Sequence, residues 1–589
     1  MLRNFFISLL GTIAGLWISL GLMFLAGLLF VVIAAASIDG EEVEIKKNSV
    51  LYLGLGGELT ERRELPDYMD KMLGSSVSGI ALNEIVQSVM AAADDDRVSA
   101  LFIECGGAVG GTASRTEILQ AIEYFKNSGK PVIAYADSYT QGDYYLASAA
   151  DEVYLNPIGG VDIHGLAMNT TMLKNLLDKA GVDIQIVKVG TYKSAVEPYM
   201  LTEISEANRE QQTLFVNQIW DNIAGSIAAS RGVSPEDVNQ WADSLIVTED
   251  PDSYTGRNIV TGLKYRYEAL DILAEKIGEE KGDDVNFVTV EDYYNAADMP
   301  HSESSKCNIA VLYAVGDIVD SGRGGIIGPD VVKQIEDLID DESVDGLVLR
   351  VNSGGGSAFA SEQIWEALER FKATERPLYV SMGDYAASGG YYISCGADKI
   401  FADPTTLTGS IGIFAMIPCV KELLNDKIGI GQSTVMTNPN ANFISITQPL
   451  TGEQLQMMQR QVNRGYELFV RRCADGRDMP VDSIKAIAEG RIWDGTTALS
   501  IGLVDELGSL DDALNDMAGN LDAKGKFTVT EYPKLKLGFW EQLEAIDYNN
   551  LKSYVMRREF GEQYRMMMQA ERLRNAAPLQ ARMEYLTVE

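Results

Sequence analysis

The chain contains two successive copies of one pattern, and this duplication constrains the fold more than any other feature. Residues 130–135 (KPVIAY) resemble residues 376–381 (RPLYVS), and residues 166–168 (LAM) resemble residues 414–416 (FAM). The offset between matching positions stays at 246–248 residues along the whole match. Self-similarity at a constant spacing indicates a repeated structural unit. We therefore predict a first repeat at 45–294, a linker at 295–305 and a second repeat at 306–532.

Each repeat alternates short β-rich runs with helical patterns. In the second repeat, a strand at 346–351 is followed by a Gly-rich loop and a helix at about 361–372. The next strand is at 377–381, and another helix begins near 388. This alternation predicts α/β units with crossover connections. A length of 589 residues is also too great for one ordinary domain.

Charge and cysteine content exclude several classes of protein. The net charge of −36 argues against nucleic acid as a partner, because phosphate binding needs a basic surface. The five cysteines are scattered without CxxC spacing, which indicates neither a zinc site nor a disulfide framework. We expect Cys395 and Cys419, which lie in apolar surroundings, to be buried free thiols.

The amino-terminal segment predicts a membrane anchor. No charged residue occurs between Asn4 and Ile38, and an apolar stretch of this length exceeds the roughly 20 residues of a spanning helix. We predict a transmembrane signal anchor at 5–37 after a short cytoplasmic end at 1–4. Arg3 before the span and acidic residues after it place the rest of the chain outside the cytoplasm. The small residues at 34–36 leave cleavage as an alternative. At the other end, a Met-, Arg- and Glu-rich extension at 533–589 is expected to be helical.

Two Gly-rich turns of the second repeat are candidates for a functional site. Residues 352–356 (NSGGG) follow a strand directly, and such a turn brings backbone N–H groups close to a ligand. Residues 386–390 (AASGG) expose Ser388 at a strand-to-helix junction, where a nucleophile gains from the helix dipole and the following N–H. Taken alone, each feature is ambiguous, because a Gly-rich loop is more often just a turn and a serine at this position is more often a helix N-cap.

The two repeats differ at these positions. The first repeat has Gln141 in the place of Ser388, and an amide side chain cannot attack a carbonyl. It has residues 108–110 (AVG) in the place of 354–356. In return, the first repeat contains Lys193, and the matching stretch near 438–440 has no lysine. The repeats thus each hold one half of a Ser/Lys dyad.

A lysine acts as a general base only when it is neutral at the working pH. Burial favours the neutral form and lowers the pKa of the amine. Lys193 lies between apolar stretches, which suits burial at the junction of the repeats, although a surface lysine paired with Glu197 fits the local sequence equally well. The chain has only two histidines. We interpret His164 as structural, and His301 lies in the linker.

These motifs resemble the signal peptide peptidase A family in its long form, also called protease IV. The resemblance rests on residues 190–198, 352–356, 382–390 and 407–412, and it extends over almost the whole chain. It implies a tandem duplication of a ClpP/crotonase-like α/β domain, preceded by one transmembrane helix. It places the nucleophile at Ser388, the base at Lys193, backbone oxyanion donors at Gly355 and Gly389, and a lysine-orienting hydroxyl at Ser410. Many relatives have proline at the position of Gly354, so this loop should be more flexible here.

The resemblance also implies an activity and a location. The expected reaction is endopeptidase cleavage of remnant signal peptides and other apolar peptides through an acyl-enzyme. The expected place is the periplasmic side of the bacterial cytoplasmic membrane, reached through the bilayer anchor. A homotetramer is implied, and no metal or other cofactor is needed. Two alternatives stay open: an acyl-CoA hydratase or isomerase, which uses an oxyanion hole without a nucleophilic serine, and an inactive membrane scaffold.

Overall fold

A computed structural model describes most of the chain. It covers residues 44–63, 79–296, 305–322, 324–534 and 580–583, together with the isolated positions 15, 21 and 23. Apart from those three positions, the predicted anchor at 5–37 lies outside the described residues. Across the residues that are described, no helix has the length and apolar character needed to cross a membrane.

The first repeat is built on a sheet of parallel strands. Their order is β8–β1–β3–β4–β5–β7, and β2 pairs with the carboxyl end of β1. The strands of this sheet are β1 (Ser49–Thr60), β2 (Gly79–Ala81), β3 (Val98–Val109), β4 (Val132–Ala136), β5 (Glu152–Leu155), β7 (Gly262–Leu263) and β8 (Asn286–Thr289).

The second repeat has a sheet with the same strand order, β20–β9–β12–β14–β15–β19, again parallel. Two further strands extend it: β16 is parallel to the end of β14, and β18 is antiparallel to β16. The repeated order of six strands shows that the chain is a structural duplication. The strands are β9 (Cys307–Val315), β12 (Gly346–Ser353), β14 (Leu378–Ala387), β15 (Lys399–Ala402), β16 (Leu407–Gly409), β18 (Ile492–Asp494), β19 (Glu506–Leu507) and β20 (Phe527–Tyr532).

Helices cover the sheets of both repeats, which makes the architecture α/β. Those described before residue 297 are α1 (Leu82–Asp94), α2 (Thr112–Asn127), α3 (Gln141–Ala147), α4 (Lys174–Ala180), α5 (Glu197–Met200), α6 (Glu206–Arg231), α7 (Pro235–Asp243), α8 (Asp252–Thr255), α9 (Arg266–Ile277) and α10 (Val290–Ala296). Those after residue 305 are α11 (Gly328–Asp340), α12 (Ala358–Lys372), α13 (Gly389–Ser394), α14 (Gly452–Gly476), α15 (Val481–Ile487), α16 (Gly495–Ser500) and α17 (Leu510–Asn520).

Local sequence explains the elements around the two Gly-rich turns. Strand β12 is buried on both faces, as expected for a parallel strand covered by helices, and it matches the strand predicted at 346–351. Helix α12 begins three residues earlier than predicted, because the Ser357 side chain caps it by accepting from the Ala360 N–H at 3.2 Å. All five cysteines are buried and free, which confirms the expectation for Cys395 and Cys419.

A third, mixed sheet joins the two repeats. Its order is β11–β10–β13–β21–β17–β6, with β6 (Asp183–Lys188), β10 (Ile318–Val319), β11 (Ile326–Ile327), β13 (Gly355–Ser357), β17 (Phe414–Cys419) and β21 (Gln580–Arg582). Strand β6 belongs to the first repeat and pairs antiparallel with β17 of the second, from Lys188 opposite Phe414 to Asp183 opposite Cys419. This pairing carries the loop that follows β6 into the second repeat.

A buried charge cluster also connects the repeats. The Arg350 guanidinium, on β12, lies 2.8 Å from Glu61 and 2.8 Å from Glu117, both in the first repeat. Arg350 is completely buried, and both carboxylates are nearly so. Burial would lower the pKa of Arg350, but the two carboxylates raise it above its usual value. The pKa of Glu117 is raised to about 7 by burial, against the opposing charge of Arg350.

The carboxyl-terminal extension does not match the helix predicted for it where the structure describes it. Residues 580–582 form strand β21, and residues 535–579 and 584–589 lie outside the described part of the chain. The segment is extended because β13 and β17 leave two strand edges between which it pairs. Tertiary pairing of this kind outweighs local helix propensity.

Candidate active site

Ser388 is the single residue between strand β14 and helix α13, and its backbone has a conformation that residues other than glycine rarely adopt. Its φ of 55° and ψ of −111° lie in a region that favours glycine. Two backbone hydrogen bonds hold it there: the Ser388 N–H donates to Gly409 O at 2.8 Å, and Tyr392 N–H donates to Ser388 O at 2.8 Å. The Ser388 side chain makes no capping hydrogen bond to α13, so it does not serve as an N-cap.

The Lys193 side chain reaches Ser388 from the first repeat. Its Nζ lies 2.7 Å from Ser388 Oγ, 2.9 Å from Ser410 O and 3.0 Å from Ser410 Oγ. Lys193 is 1% exposed, and both serines are buried. The structure thus brings together three of the residues singled out from the sequence.

Burial shifts the pKa of Lys193. Desolvation lowers the pKa of its amine well below the usual value, and no carboxylate raises it. A neutral amine has two N–H groups and one lone pair. A neutral amine at this position would donate to the two oxygen atoms of Ser410 and accept from the Ser388 hydroxyl, so three contacts equal its full hydrogen-bonding capacity.

Glu197 does not pair with Lys193, although the sequence allowed it. Its carboxylate accepts from Ser205 Oγ at 2.6 Å, from Ser205 N–H at 3.1 Å and from Asn208 Nδ2 at 3.0 Å. The alternative of a surface lysine neutralised by this residue is therefore wrong.

Contacts from the second repeat fix the loop that carries Lys193, and sequence reasoning missed them. The Glu489 carboxylate accepts from the Thr191 N–H at 2.9 Å and the Thr191 hydroxyl at 3.0 Å. Gly490 packs so closely that a Cβ there would lie 2.6 Å from Lys193 Cβ. In the sequence, only Gly490 could have indicated this contact, because a glycine permits close approach of another backbone. Nothing in the sequence distinguishes Glu489 from other acidic residues.

The two predicted oxyanion donors lie side by side. Gly355 has a φ of 97°, and a Cβ built on it would lie 2.6 Å from the Gly389 nitrogen. Only a residue without a side chain permits this approach. The Gly355 N–H donates to Ser353 Oγ at 3.1 Å, and the Ser353 hydroxyl donates to Gly316 O at 2.6 Å. Ser353 is a further residue of this turn that was not singled out from the sequence.

In the first repeat, Gln141 stands at the position that matches Ser388, and its side chain is hydrogen-bonded to a neighbouring loop. The Gln141 side chain donates to Gly165 O at 2.9 Å and accepts from the His164 and Gly165 N–H groups, each at 3.0 Å. In the adjoining turn, the Asp143 carboxylate accepts from the N–H groups of Gly107 and Ala108, at 3.0 and 3.2 Å. These amides are therefore occupied by a negative charge, and this turn cannot hold an oxyanion.

The remaining candidates lie apart from the dyad. His164 Nδ1 contacts Asp162 Oδ1 at 2.9 Å within the first repeat, which agrees with a structural role. His301 lies outside the described residues. Among the residues with a described position, no group of histidine, cysteine and acidic side chains is arranged to hold a metal ion.

Comparisons with known proteins identify a peptidase family. The model of peptidase family S49 matches residues 124–254 and 370–524, one segment in each repeat. Protease 4 of Salmonella typhi is 35% identical over 530 residues, which cover 87% of this chain and 82% of that protein. A putative signal peptide peptidase SppA of Enterococcus faecium is 32% identical over 259 residues, or 42% of this chain and 75% of the relative.

A solved structure, that of a ClpP1 point mutant from Listeria monocytogenes, is 20% identical and covers 35% of this chain and 94% of its own, with a TM-score of 0.24. That score is too low to support a conclusion, so the ClpP/crotonase-like fold stays a prediction. The match to Protease 4 over most of both chains is decisive by itself. The chain belongs to peptidase family S49 and is a serine peptidase.

Proposed function

We propose that the chain cleaves peptides with Ser388 as nucleophile and Lys193 as general base, through an acyl-enzyme. Neutral Lys193 takes the Ser388 proton as Oγ attacks the carbonyl carbon of the scissile bond. The protonated lysine then donates to the leaving amine, and water hydrolyses the ester. The observation that carries this proposal is the 2.7 Å contact between a buried amine and a buried hydroxyl.

The proposed oxyanion donors are the N–H groups of Gly389 and Gly355, and the Gly355 N–H must exchange its hydrogen bond to the neutral Ser353 hydroxyl for one to the oxyanion. The residue after a nucleophile at a strand-to-helix turn is well placed for this role, because its N–H points toward the attacked carbonyl. The close approach of Gly355 to Gly389 supports a shared binding position for the oxyanion. Since removal of one such donor costs about 10²–10³ in kcat, these two glycines would supply a large part of the rate enhancement.

Ser410 is the proposed lysine-orienting residue. Its carbonyl and hydroxyl oxygens both lie within 3.0 Å of Lys193 Nζ. Holding both N–H groups fixes the direction of the lone pair, and this direction decides whether the base faces Ser388.

The proposed substrates are remnant signal peptides, cleaved at the outer face of the cytoplasmic membrane by an enzyme anchored through residues 5–37. Two facts support this proposal: the apolar amino-terminal segment, and the name of the Enterococcus faecium relative as a putative signal peptide peptidase. A homotetramer that encloses the sites completes the proposal, because an enclosed site would admit unfolded peptides and exclude folded proteins.

Hydrolysis of an apolar signal-peptide sequence, together with labelling by a serine-directed fluorophosphonate, tests the dyad. We expect Ser388→Ala to abolish both, and Lys193→Ala to reduce both by at least about 10²-fold, the usual contribution of a general base. Lys179→Ala and Ser500→Ala, both outside the site, should behave as wild type. Wild-type rates in the Ser388→Ala variant would favour an oxyanion-hole enzyme of another class. Absence of labelling and hydrolysis in the wild type would favour a scaffold.

A further inference from the structure

The Gln211 side chain, on helix α6 of the first repeat, contacts the loop that carries Lys193. Gln211 is 1% exposed, so its amide is shielded from water. Its Nε2 donates to the Tyr192 carbonyl at 3.1 Å and to Ser194 Oγ at 3.2 Å. Tyr192 and Ser194 directly precede and follow Lys193 in the chain. One amide group therefore holds the lysine loop through both neighbours of the base.

The oxygen of the same amide contacts the second repeat. Gln211 Oε1 accepts from the N–H of Ile492, the first residue of β18, at 3.2 Å. Strand β18 pairs with β16, where Ile492 is opposite Gly409. The Gly409 carbonyl accepts from the Ser388 N–H at 2.8 Å, and the carbonyl of the residue before Ile492 accepts from the Ser410 N–H at 2.7 Å. Gln211 thus connects the base loop with the strand pair that holds both serines of the site.

An amide makes both contacts at once because it carries a donor and an acceptor. Its two hydrogens are shared among three acceptors, the third being Asn208 Oδ1 at 3.0 Å. A carboxylate at this position has no hydrogen to donate, and an apolar side chain leaves the Ile492 N–H without its partner. The amide also brings no charge. A buried carboxylate beside the loop would oppose the desolvation that lowers the pKa of Lys193.

We propose that Gln211 is a positioning residue of the dyad, which holds the Lys193 loop against strands β16 and β18 when the two repeats dock. This inference rests on the proposed roles of Ser388 and Lys193. The amine faces Ser388 only if its loop keeps a fixed distance from the strands of Ser388 and Ser410, and the Gln211 amide spans that distance. The effect of Gln211 on the reaction passes through these backbone groups. Misplacement of a reacting group by about 1 Å lowers the rate about 10²-fold.

Hydrolysis of an apolar signal-peptide sequence by the full chain, measured at a series of pH values, tests this proposal. Gln211→Met keeps a side chain of similar length and loses both contacts. We expect it to lower kcat by about 10- to 100-fold with KM nearly unchanged. Gln211→Glu keeps the acceptor for Ile492 and adds a carboxylate beside the base loop. It should lower kcat and also move the rising limb of kcat upward by about one pH unit, because a nearby negative charge stabilises the protonated lysine.

The next residue of α6 supplies matched controls. Gln212 is also buried, and its Nε2 donates to Thr170 Oγ1 at 3.2 Å within the first repeat. Gln212→Met and Gln212→Glu make the same chemical changes one position away from the lysine loop. We expect both to keep the wild-type kcat and pH limb. Thermal midpoints of all four variants show whether a loss of kcat follows position or general loss of stability.

Failure of this inference differs from failure of the proposed function. If Ser388→Ala and Lys193→Ala are inactive but both Gln211 variants keep the wild-type kcat and pH limb, the positioning role is excluded and the dyad stands. Equal losses of kcat in the Gln211 and Gln212 variants, with an unmoved pH limb, would also overturn it. If the wild type neither hydrolyses the peptide nor reacts with a fluorophosphonate, the proposed function itself is wrong.

Discussion

Lys193 Nζ and Ser388 Oγ lie 2.7 Å apart, although the two residues belong to different repeats and are 195 positions apart in the chain. Strand pairing between β6 and β17 and the contacts of Glu489 and Gly490 hold the lysine loop in the second repeat. A dyad assembled in this way depends on how the repeats dock. Changes that loosen the docking should therefore reduce activity even when they lie outside the site.

The first prediction concerns the pH dependence of acylation. Only neutral Lys193 accepts a proton, and burial lowers its pKa well below the usual value. The fluorophosphonate labelling rate should therefore rise with pH and reach its plateau far below pH 10.5. Lys193→Arg should be inactive at every pH, because a guanidinium does not deprotonate in proteins. A limb centred near 10.5 would contradict the proposed role of burial.

The second prediction is that the buried lysine lowers stability. Because its pKa is lower in the folded than in the unfolded chain, the unfolded state binds more protons below pH 10.5, and stability rises with pH. Lys193→Met keeps the length of the side chain and removes the amine. We expect its thermal midpoint to exceed that of the wild type by a few degrees at pH 7. This gain should shrink as the pH approaches 10.5, and a gain that is constant with pH would exclude titration of Lys193 as its cause.

The third prediction separates orientation of the lysine from its presence. Ser410→Ala removes one acceptor of Lys193 Nζ and keeps the carbonyl contact. Loss of one hydrogen bond of about 1.5–3 kcal/mol should lower kcat by about 10- to 100-fold, with KM nearly unchanged. Ser410→Thr retains a hydroxyl but adds a β-branch at a φ of 52°, so we expect it to recover only part of the loss. Equal effects on both variants would indicate a purely structural role for Ser410.

Sequence comparison between the repeats singled out Ser388 and Lys193, because neither residue type recurs at the matching position of the other repeat. Ser388 has Gln141 as its counterpart, and Lys193 has none, so the asymmetry was visible without any structure. The contacts of Glu489 and Asp143 were not predictable in this way. Each joins a side chain to backbone amides in a distant loop, and no periodicity records such a contact.

The fold was predictable to a similar extent. Alternating β-rich and helical patterns predicted the α/β units and the position of β12. Strand β21 was not predictable, since its sequence has no alternating apolar pattern and its conformation comes from the two edges it joins. The buried charge cluster was predictable from Arg350, because a single charged residue inside an apolar buried strand indicates a buried partner of opposite charge.

The fourth prediction concerns the charge cluster between the repeats. Two carboxylates face one guanidinium there, and burial raises the pKa of Glu117 from its usual 4.5 to about 7. A raised pKa means that the folded chain binds the proton more tightly, so this contribution is complete below pH 4.5 and is lost as the pH rises through 7.

Glu117→Gln removes that pH dependence and keeps an oxygen for Arg350. We expect it to match the wild type near pH 5 and to exceed its free energy of unfolding above pH 7, by up to about 3 kcal/mol. Denaturant unfolding at a series of pH values measures this difference. Glu61→Gln is the matched comparison, because the Glu61 carboxylate also accepts a hydrogen bond from Asn352 Nδ2 at 2.7 Å. We expect this substitution to lower the free energy of unfolding both near pH 5 and above pH 7. Parallel stability curves for wild type and Glu117→Gln would rule out titration of Glu117.

The fifth prediction tests whether close packing of Gly490 positions the lysine. An alanine Cβ there would lie 2.6 Å from Lys193 Cβ and 2.8 Å from its Cα, at a φ of 74°. Gly490→Ala should therefore displace the Lys193 backbone and lower kcat/KM by about 10²-fold, the cost of a misplacement near 1 Å. Gly225→Ala is the control, because no atom lies within 4 Å of its Cβ in helix α6. It should retain full activity and gain about 0.5–1 kcal/mol of stability. Wild-type kcat/KM in Gly490→Ala would show that the lysine loop tolerates movement and that docking at Gly490 does not position the base.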